Sequence, residues 1–167
     1  FEQSLAEIRL RARLVLCPSA ATMLDAERAG IAVDRLRLVP WGVEASPVNE
    51  VDRLAVREKY GLPSEYLLFV GTLEPRKNLR RLTRAVDLCG ADVPLIVAGA
   101  QGWGENVSDC DSRVQFIGFV PDTDLPALYS GAAAFCYPSE REGFGMPVLE
   151  AMSYGVPVVT SRGTSTE

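Results

Sequence analysis

Between Ser139 and Met152 the chain reads S-E-R-E-G-F-G-M-P-V-L-E-A-M, and this stretch holds the residue types best suited to chemistry. Two carboxylates, Glu142 and Glu150, stand eight positions apart, with Gly143, Phe144, Gly145, Met146 and Pro147 between them. The Gly-Phe-Gly loop lets backbone approach a ligand closely. Pro147 suits the first position of a helix, where its missing N–H costs nothing. The free N–H groups of that helix start, together with the helix dipole, favour an anion. One acid would precede the loop and the other would sit about one turn into the helix. That arrangement can hold phosphate and sugar hydroxyls together.

Other chemistries are poorly served. The chain has no histidine, which removes Ser-His-Asp and Cys-His catalysis and the usual zinc sites. Its four cysteines, Cys17, Cys89, Cys110 and Cys136, form no C-x-x-C pair and read as reduced cysteines of a cytosolic protein. A net charge of -5 does not suggest a nucleic-acid partner. No apolar run approaches the ~18 residues of a membrane span. With 167 residues, 47% of them apolar and 23% charged, the chain suits one folded domain and a remnant of another.

The elements that must position the two acids follow from periodicity. Phe1 to Arg13 has helical spacing, and Leu14 to Cys17 is a short strand. Ser19 is placed to cap a helix from Ala20 to Ala29 that Gly30 stops. Leu36 to Val39 is a further strand, and Ala45 to Asn49 is linker-like. A charged helix from Val51 to Tyr60 ends at Gly61. Strands at Tyr66–Val70, Val93–Ala98, Val114–Ile117, Ala132–Tyr137 and Val156–Thr160 then alternate with helices at Asn78–Leu88, Leu125–Tyr129 and Met146–Ser153. Apolar strands alternating with helices predict an α/β fold, a Rossmann-like parallel sheet with helices on both faces. Ligands of such sheets bind outside the carboxyl ends of the strands, where Gly71 and Glu142 both fall.

The run C-Y-P-S-E-R-E-G-F-G-M-P-V-L-E-A-M-S-Y-G-V-P-V-V-T-S closely resembles the Glu-x7-Glu motif of family 4 glycosyltransferases, which have the GT-B fold. G-T-L-E-P-R-K-N-L, from Gly71 to Leu79, resembles a second element of that family, in the right order and at a typical spacing. The resemblance extends over nearly the whole chain. It implies a nucleoside-diphosphate-sugar donor and an acceptor that the sequence does not identify (a sugar, a lipid-linked sugar or a polysaccharide). It implies retention of configuration, no cofactor and no metal. Glu142 would stand beside the donor sugar and Glu150 would accept the two ribose hydroxyls. Gly71, Arg76 and Lys77 would receive the diphosphate, the cations neutralising the leaving group. Many members carry arginine where this chain has Thr72, which leaves one phosphate contact unfilled unless Arg76 supplies it. F-I-G-F-V-P-D resembles the segment that faces the base, so Phe119 and Val120 are candidates for the base wall, or else core residues. Asp122 and Asn78 read as helix caps. G-A-Q-G-W-G, with Gly99, Gly102 and Gly104, does not satisfy G-x-G-x-x-G and reads as a structural turn. The form of the second motif leans weakly towards GDP-mannose.

By the same resemblance, residues 1–44 are the remnant of an N-terminal acceptor domain, with Trp41-Gly42-Val43 at the crossing, and residues 45–167 are the donor-binding domain, incomplete at its end. The Leu14–Cys17 strand is then expected to lack its native sheet, and to be mobile or to borrow a neighbouring edge. A chain without its acceptor domain is expected not to turn over alone. Members are cytoplasmic or peripheral on the cytoplasmic membrane face, any membrane contact running through the absent domain. Three rival readings fit the residues less well. A GT-B epimerase would normally rely on histidine. A nicotinamide-dependent oxidoreductase needs G-x-G-x-x-G. A degenerate, non-catalytic nucleotide-binding module would have lost the two acids or the Arg-Lys pair, and all four residues are present.

Overall fold

The computed structural model describes residues 2–90, 92–103 and 113–167. Gly104 and Cys110, singled out above, lie outside them. The other three cysteines are free thiols, Cys17 and Cys136 buried and Cys89 exposed.

The chain begins with helix α1 (Glu2–Arg11), strand β1 (Val15–Cys17), helix α2 (Ala20–Arg28) and strand β2 (Leu36–Leu38). Strands β1 and β2 pair in parallel, so the first strand finds its partner within its own segment. Cys17, Ile31 and Leu36 form a small buried cluster under Leu5, Met23 and Ala26. Ser19 caps α2 as its position predicts: its Oγ accepts the Thr22 N–H at 3.1 Å.

The second unit holds the main core. Helix α3 (Glu50–Tyr60) is capped by Asn49, whose Oδ1 accepts from Asp52 N at 2.9 Å, and is closed by left-handed Gly61. Strands β3 (Leu67–Val70), β4 (Leu95–Ala98), β5 (Val114–Gly118), β6 (Ala134–Tyr137) and β7 (Val158–Thr160) form one sheet in the order β5-β4-β3-β6-β7. Every pairing in it is parallel. Helices α4 (Leu79–Cys89), α5 (Leu125–Ser130) and α6 (Met146–Ser153) complete the two covering layers. All four residues of β4 are buried, which is why its sequence is a continuous apolar run rather than an alternation. Helix α4 buries Leu79, Leu82 and Val86, the stripe its spacing predicts. No helix of the described residues is long and apolar enough to cross a membrane.

The strand order fixes where a ligand can sit. From β3 the chain runs outward to β4 and β5, then crosses back to β6 and β7 on the other side. The ends of β3 and β6 therefore flank a point where the winding direction reverses, the usual crevice of open parallel sheets. The turns beyond β3 and β4 touch closely. A Cβ on Gly99 would stand 2.0 Å from the Gly71 carbonyl oxygen, so only glycine fits there.

Three local readings need correction. Asn78 precedes α4 but does not cap it: its backbone is left-handed (φ 58°), and its amide donates to Pro138 O at 3.3 Å. Asp122 is not the cap of α5 either. That position belongs to Asp124, whose carboxylate accepts from Lys59 Nζ and Tyr60 OH, both at 2.7 Å, and so ties α5 to α3. Pro147 is the second residue of α6, after Met146, rather than the first.

Candidate functional site

Tyr137 ends β6, and the loop that follows carries Glu142 back across the end of β3. Pro75 opens a short 3-10 turn, Pro75–Lys77, which lifts two cations towards the same place. The Glu142 carboxylate meets both. Its Oε1 accepts from Lys77 Nζ at 2.6 Å, Arg76 Nη1 at 2.7 Å and Tyr137 OH at 3.1 Å. Lys77 also donates to the Tyr137 hydroxyl and lies 4.5 Å from the centre of that ring. Arg76 is steadied by Glu74 at 2.8 Å and by the Arg141 carbonyl at 3.2 Å. The Lys77 stem crosses over Gly71, where a Cβ would stand 3.5 Å from Lys77 Cε.

The Lys77 side chain is only 8% exposed and that of Glu142 10%, so little water screens the pair. Burial pushes Glu142 upward, but the hydrogen bond and charge of Lys77, with the charge of Arg76, outweigh it and hold the carboxyl below its ordinary value. Burial likewise brings Lys77 below the ordinary lysine value despite its partner. Burial and the Glu142 charge push the Tyr137 hydroxyl upward, so it stays a neutral donor. Because the folded value of Glu142 is depressed, its contribution to stability is present above the ordinary value of 4.5 and lost as the pH falls through it to the folded value. Acid titration of unfolding should therefore show a steeper loss below about pH 4.5 in the native chain than in Glu142→Gln. Equal slopes would mean that Glu142 is not held in its charged form.

The loop itself is pinned. The Gly143 carbonyl accepts from Ser19 Oγ and Thr22 Oγ1, both at 2.7 Å, and the Glu142 carbonyl accepts from Ser165 Oγ at 2.9 Å. The Phe144 ring lies 5.8 Å from that of Trp41. Gly145 turns the chain into α6 at φ +98°, and a Cβ there would stand 2.4 Å from Thr166 Cγ2. Met146 and Pro147 then open the helix.

Glu150, further along α6, does not join Glu142. Its Oε2 accepts from Tyr129 OH at 2.8 Å, and Tyr129 stacks on Tyr154 at 6.1 Å. Glu150 faces a cleft lined with Glu44, Ser46, Asp122 and Leu125, whereas Glu142 lines a groove with Thr22, Asp25, Arg76 and Arg141. The helix start at Met146 stands between the two acids in the chain. Phe119 is 71% exposed beyond the end of β5, free to stack on a planar group, while Val120 is 5% exposed and belongs to the core.

Sequence reasoning gave no role to Tyr137, Tyr129 or Ser139. Tyr137 was findable, because it is the last inward residue of a strand whose Phe135 shares its face, with ring centres 5.6 Å apart. The Ser139 hydroxyl is wholly buried beside Glu142 and Tyr137; it helps to hold the Glu142 carboxyl in its charged form, though among the described residues it meets none at strict hydrogen-bonding geometry.

Comparison with known proteins identifies the family and the fold. The pattern of the family described as Glycosyl transferases group 1 matches residues 52–166. The chain is 44% identical over 131 residues to O-antigen chain mannosyltransferase B of Escherichia coli, covering 71% of this chain and 34% of that protein. It is 36% identical over 124 residues to the serotype-specific mannosyltransferase WbdA of Escherichia coli, covering 66% of this chain and 15% of that one. The chain thus spans about a third of the first relative's length and less of the second's. Among solved structures, Anabaena HepE in complex with UDP and glucose superposes with a TM-score of 0.86 at 23% identity, over 98% of this chain and 48% of that one. The lipopolysaccharide glycosyltransferase WaaG gives a TM-score of 0.75 at 19% identity, over 99% and 55%. At these identities the likeness speaks for the fold: the parallel sheet and its layers are those of one half of a GT-B enzyme.

Proposed function

This chain belongs to the group 1 glycosyltransferases, and from that premise we propose that it is the donor-binding part of a retaining enzyme that moves a sugar from a nucleoside diphosphate to an acceptor hydroxyl. The observation that carries the reading is the convergence of Arg76, Lys77 and Tyr137 on Glu142 at the reversal point of the sheet. A mannosyltransferase relative at 44% identity favours GDP-mannose as the donor.

Donor capacity supports the roles. An ammonium has three N–H groups, and Lys77 commits two, to Tyr137 and Glu142, leaving one for a phosphate oxygen. A guanidinium has five, and among the described residues the Nη2 group of Arg76 bonds to none. The cations would take the diphosphate on one side while holding Glu142 on the other. All three bonds to Glu142 fall on Oε1, so Oε2 is left to face the sugar, where its charge stabilises the cation developing at the ring. The bond between the anomeric carbon and the diphosphate breaks. The acceptor oxygen bonds to that carbon from the same face, and its proton passes to the departing phosphate oxygen. The acceptor is a sugar, a lipid-linked sugar or a polysaccharide. Glu150 keeps Oε1 for ribose hydroxyls, and Phe119 is placed to stack on the base.

Calorimetry with UDP, GDP, GDP-mannose and UDP-glucose tests this. One diphosphate should bind, and Glu150→Ala should weaken it about tenfold, the loss of a charged hydrogen-bond acceptor of about 1.5 kcal/mol. Full affinity in Glu150→Ala would refute the ribose role. Silence across the panel in the full chain would refute the donor site.

A further inference from the structure

We infer that Ser19, Thr22 and Asp25 are positioning residues for the reaction, a clamp by which the first two turns of α2 set the geometry of the Glu142 loop. This rests on the catalytic role proposed for Glu142. The three residues recur at every third position from the start of one helix and meet two residues of the loop, Arg141 and Gly143, which flank Glu142. Ser19 and Thr22 donate to the Gly143 carbonyl at 2.7 Å each, filling both of its lone pairs. Asp25 pairs with Arg141 at 2.7 Å. These contacts join residues more than a hundred positions apart in the chain.

Ser19 acts twice. Its oxygen accepts the Thr22 N–H, and its one hydrogen has two acceptors in reach, the Gly143 carbonyl at 2.7 Å and Thr22 Oγ1 at 3.0 Å, of which the loop carbonyl is the nearer. Its side of the contact is buried, with Ser19 8% exposed. Ser165 holds the neighbouring carbonyl of Glu142 at 2.9 Å. A loop with glycines at 143 and 145 has wide backbone freedom of its own. With both carbonyls fixed, the Glu142 side chain has one direction in which to leave the backbone, towards Arg76 and Lys77. Displacement of a reacting group by about 1 Å can cost about a hundredfold in rate, so the hydroxyls that hold this carbonyl carry rate without touching substrate.

The test compares Thr22→Val, Ser19→Ala/Thr22→Val, Thr22→Ser and Glu142→Gln in the full chain. Thr22→Val keeps the Ser19 cap, so a loss there is not a loss of the helix. One readout is trypsin cleavage after Arg141, which needs no substrate. The others are hydrolysis of GDP-mannose by water, or of UDP-glucose where calorimetry selects it, and nucleotide affinity. Thr22→Val should speed cleavage several-fold and the double variant about tenfold, with hydrolysis falling about tenfold or more and nucleotide Kd within about twofold. Thr22→Ser should restore native behaviour in both. Unchanged cleavage overturns the clamp. Faster cleavage with unchanged hydrolysis, beside an inactive Glu142→Gln, overturns its part in the reaction. Unchanged hydrolysis in Glu142→Gln itself removes the catalytic reading, and this inference with it.

Discussion

Replacing Glu142 with glutamine in the full enzyme should lower sugar transfer about a thousandfold while leaving nucleotide affinity within about twofold. The substitution keeps shape and keeps an oxygen that can accept from Arg76, Lys77 and Tyr137, so the loop should hold its place. What it removes is the charge. One preorganised electrostatic contact in a site of low water content is worth about 10²–10³ in rate, and a full charge beside a developing cation belongs at the upper end. Nucleotide affinity is spared because the cations that would receive the diphosphate remain. Any shift should be towards tighter binding, since Arg76 and Lys77 lose a competing anion. Measuring kcat beside calorimetric Kd separates the two effects. Unchanged turnover would take Glu142 out of the mechanism.

Lys77→Ala should have the largest effect on stability, a loss of about 3 kcal/mol by denaturant unfolding, with a fall of about a hundredfold in nucleotide affinity. Removing one partner of a buried ion pair typically costs about 3–5 kcal/mol, because the other charge is left uncompensated. Here Arg76 and Tyr137 still reach Glu142, which places the expectation at the lower end. The burial that depresses Lys77 also means that the pair is expensive to keep. The double variant Lys77→Met/Glu142→Gln should therefore recover most of the lost stability and none of the activity. A loss below about 1 kcal/mol in the single variant would show that Arg76 alone satisfies the carboxylate.

The elements were largely legible because their signals are local. The span Met146–Ser153 follows from a glycine, a proline and an apolar stripe, and Ser19 stands where a cap belongs. The failures are tertiary. Asp122 and Asp124 are equivalent to any local rule, and only Lys59 and Tyr60, more than sixty residues away, decide which of them is held. Phe119 and Val120 were undecided because the alternation along β5 is broken: the pairing with β4 shifts between Val97 and Ala98, so Gly118 rather than Ile117 meets Ala98. Within the site, Arg76, Lys77, Glu142 and Glu150 were each read as chemically active residues. That the first three bind one another, while Glu150 turns to Tyr129, depends on β3 lying beside β6 and on α5 lying beside α6, which no spacing in the chain encodes.

The reversal of winding between β3 and β6 also bears on how the chain reaches this state. Lys77 and Glu142 are 65 residues apart, and neither cation reaches that carboxylate until the two halves of the sheet have met. Strands β3, β4 and β5 can zip in sequence, as can β6 and β7, whereas β6 must close a long loop before it pairs with β3, and contacts of that separation are slow to form. Until then β3 presents one open edge at Leu67 and Leu68, where Ala134 and Phe135 will pair. An apolar strand with an unpaired edge is a template for other chains. The seam that holds the chemistry is thus the seam along which an unfinished molecule is most exposed to association, and refolding yield should fall with protein concentration for as long as that edge stays open.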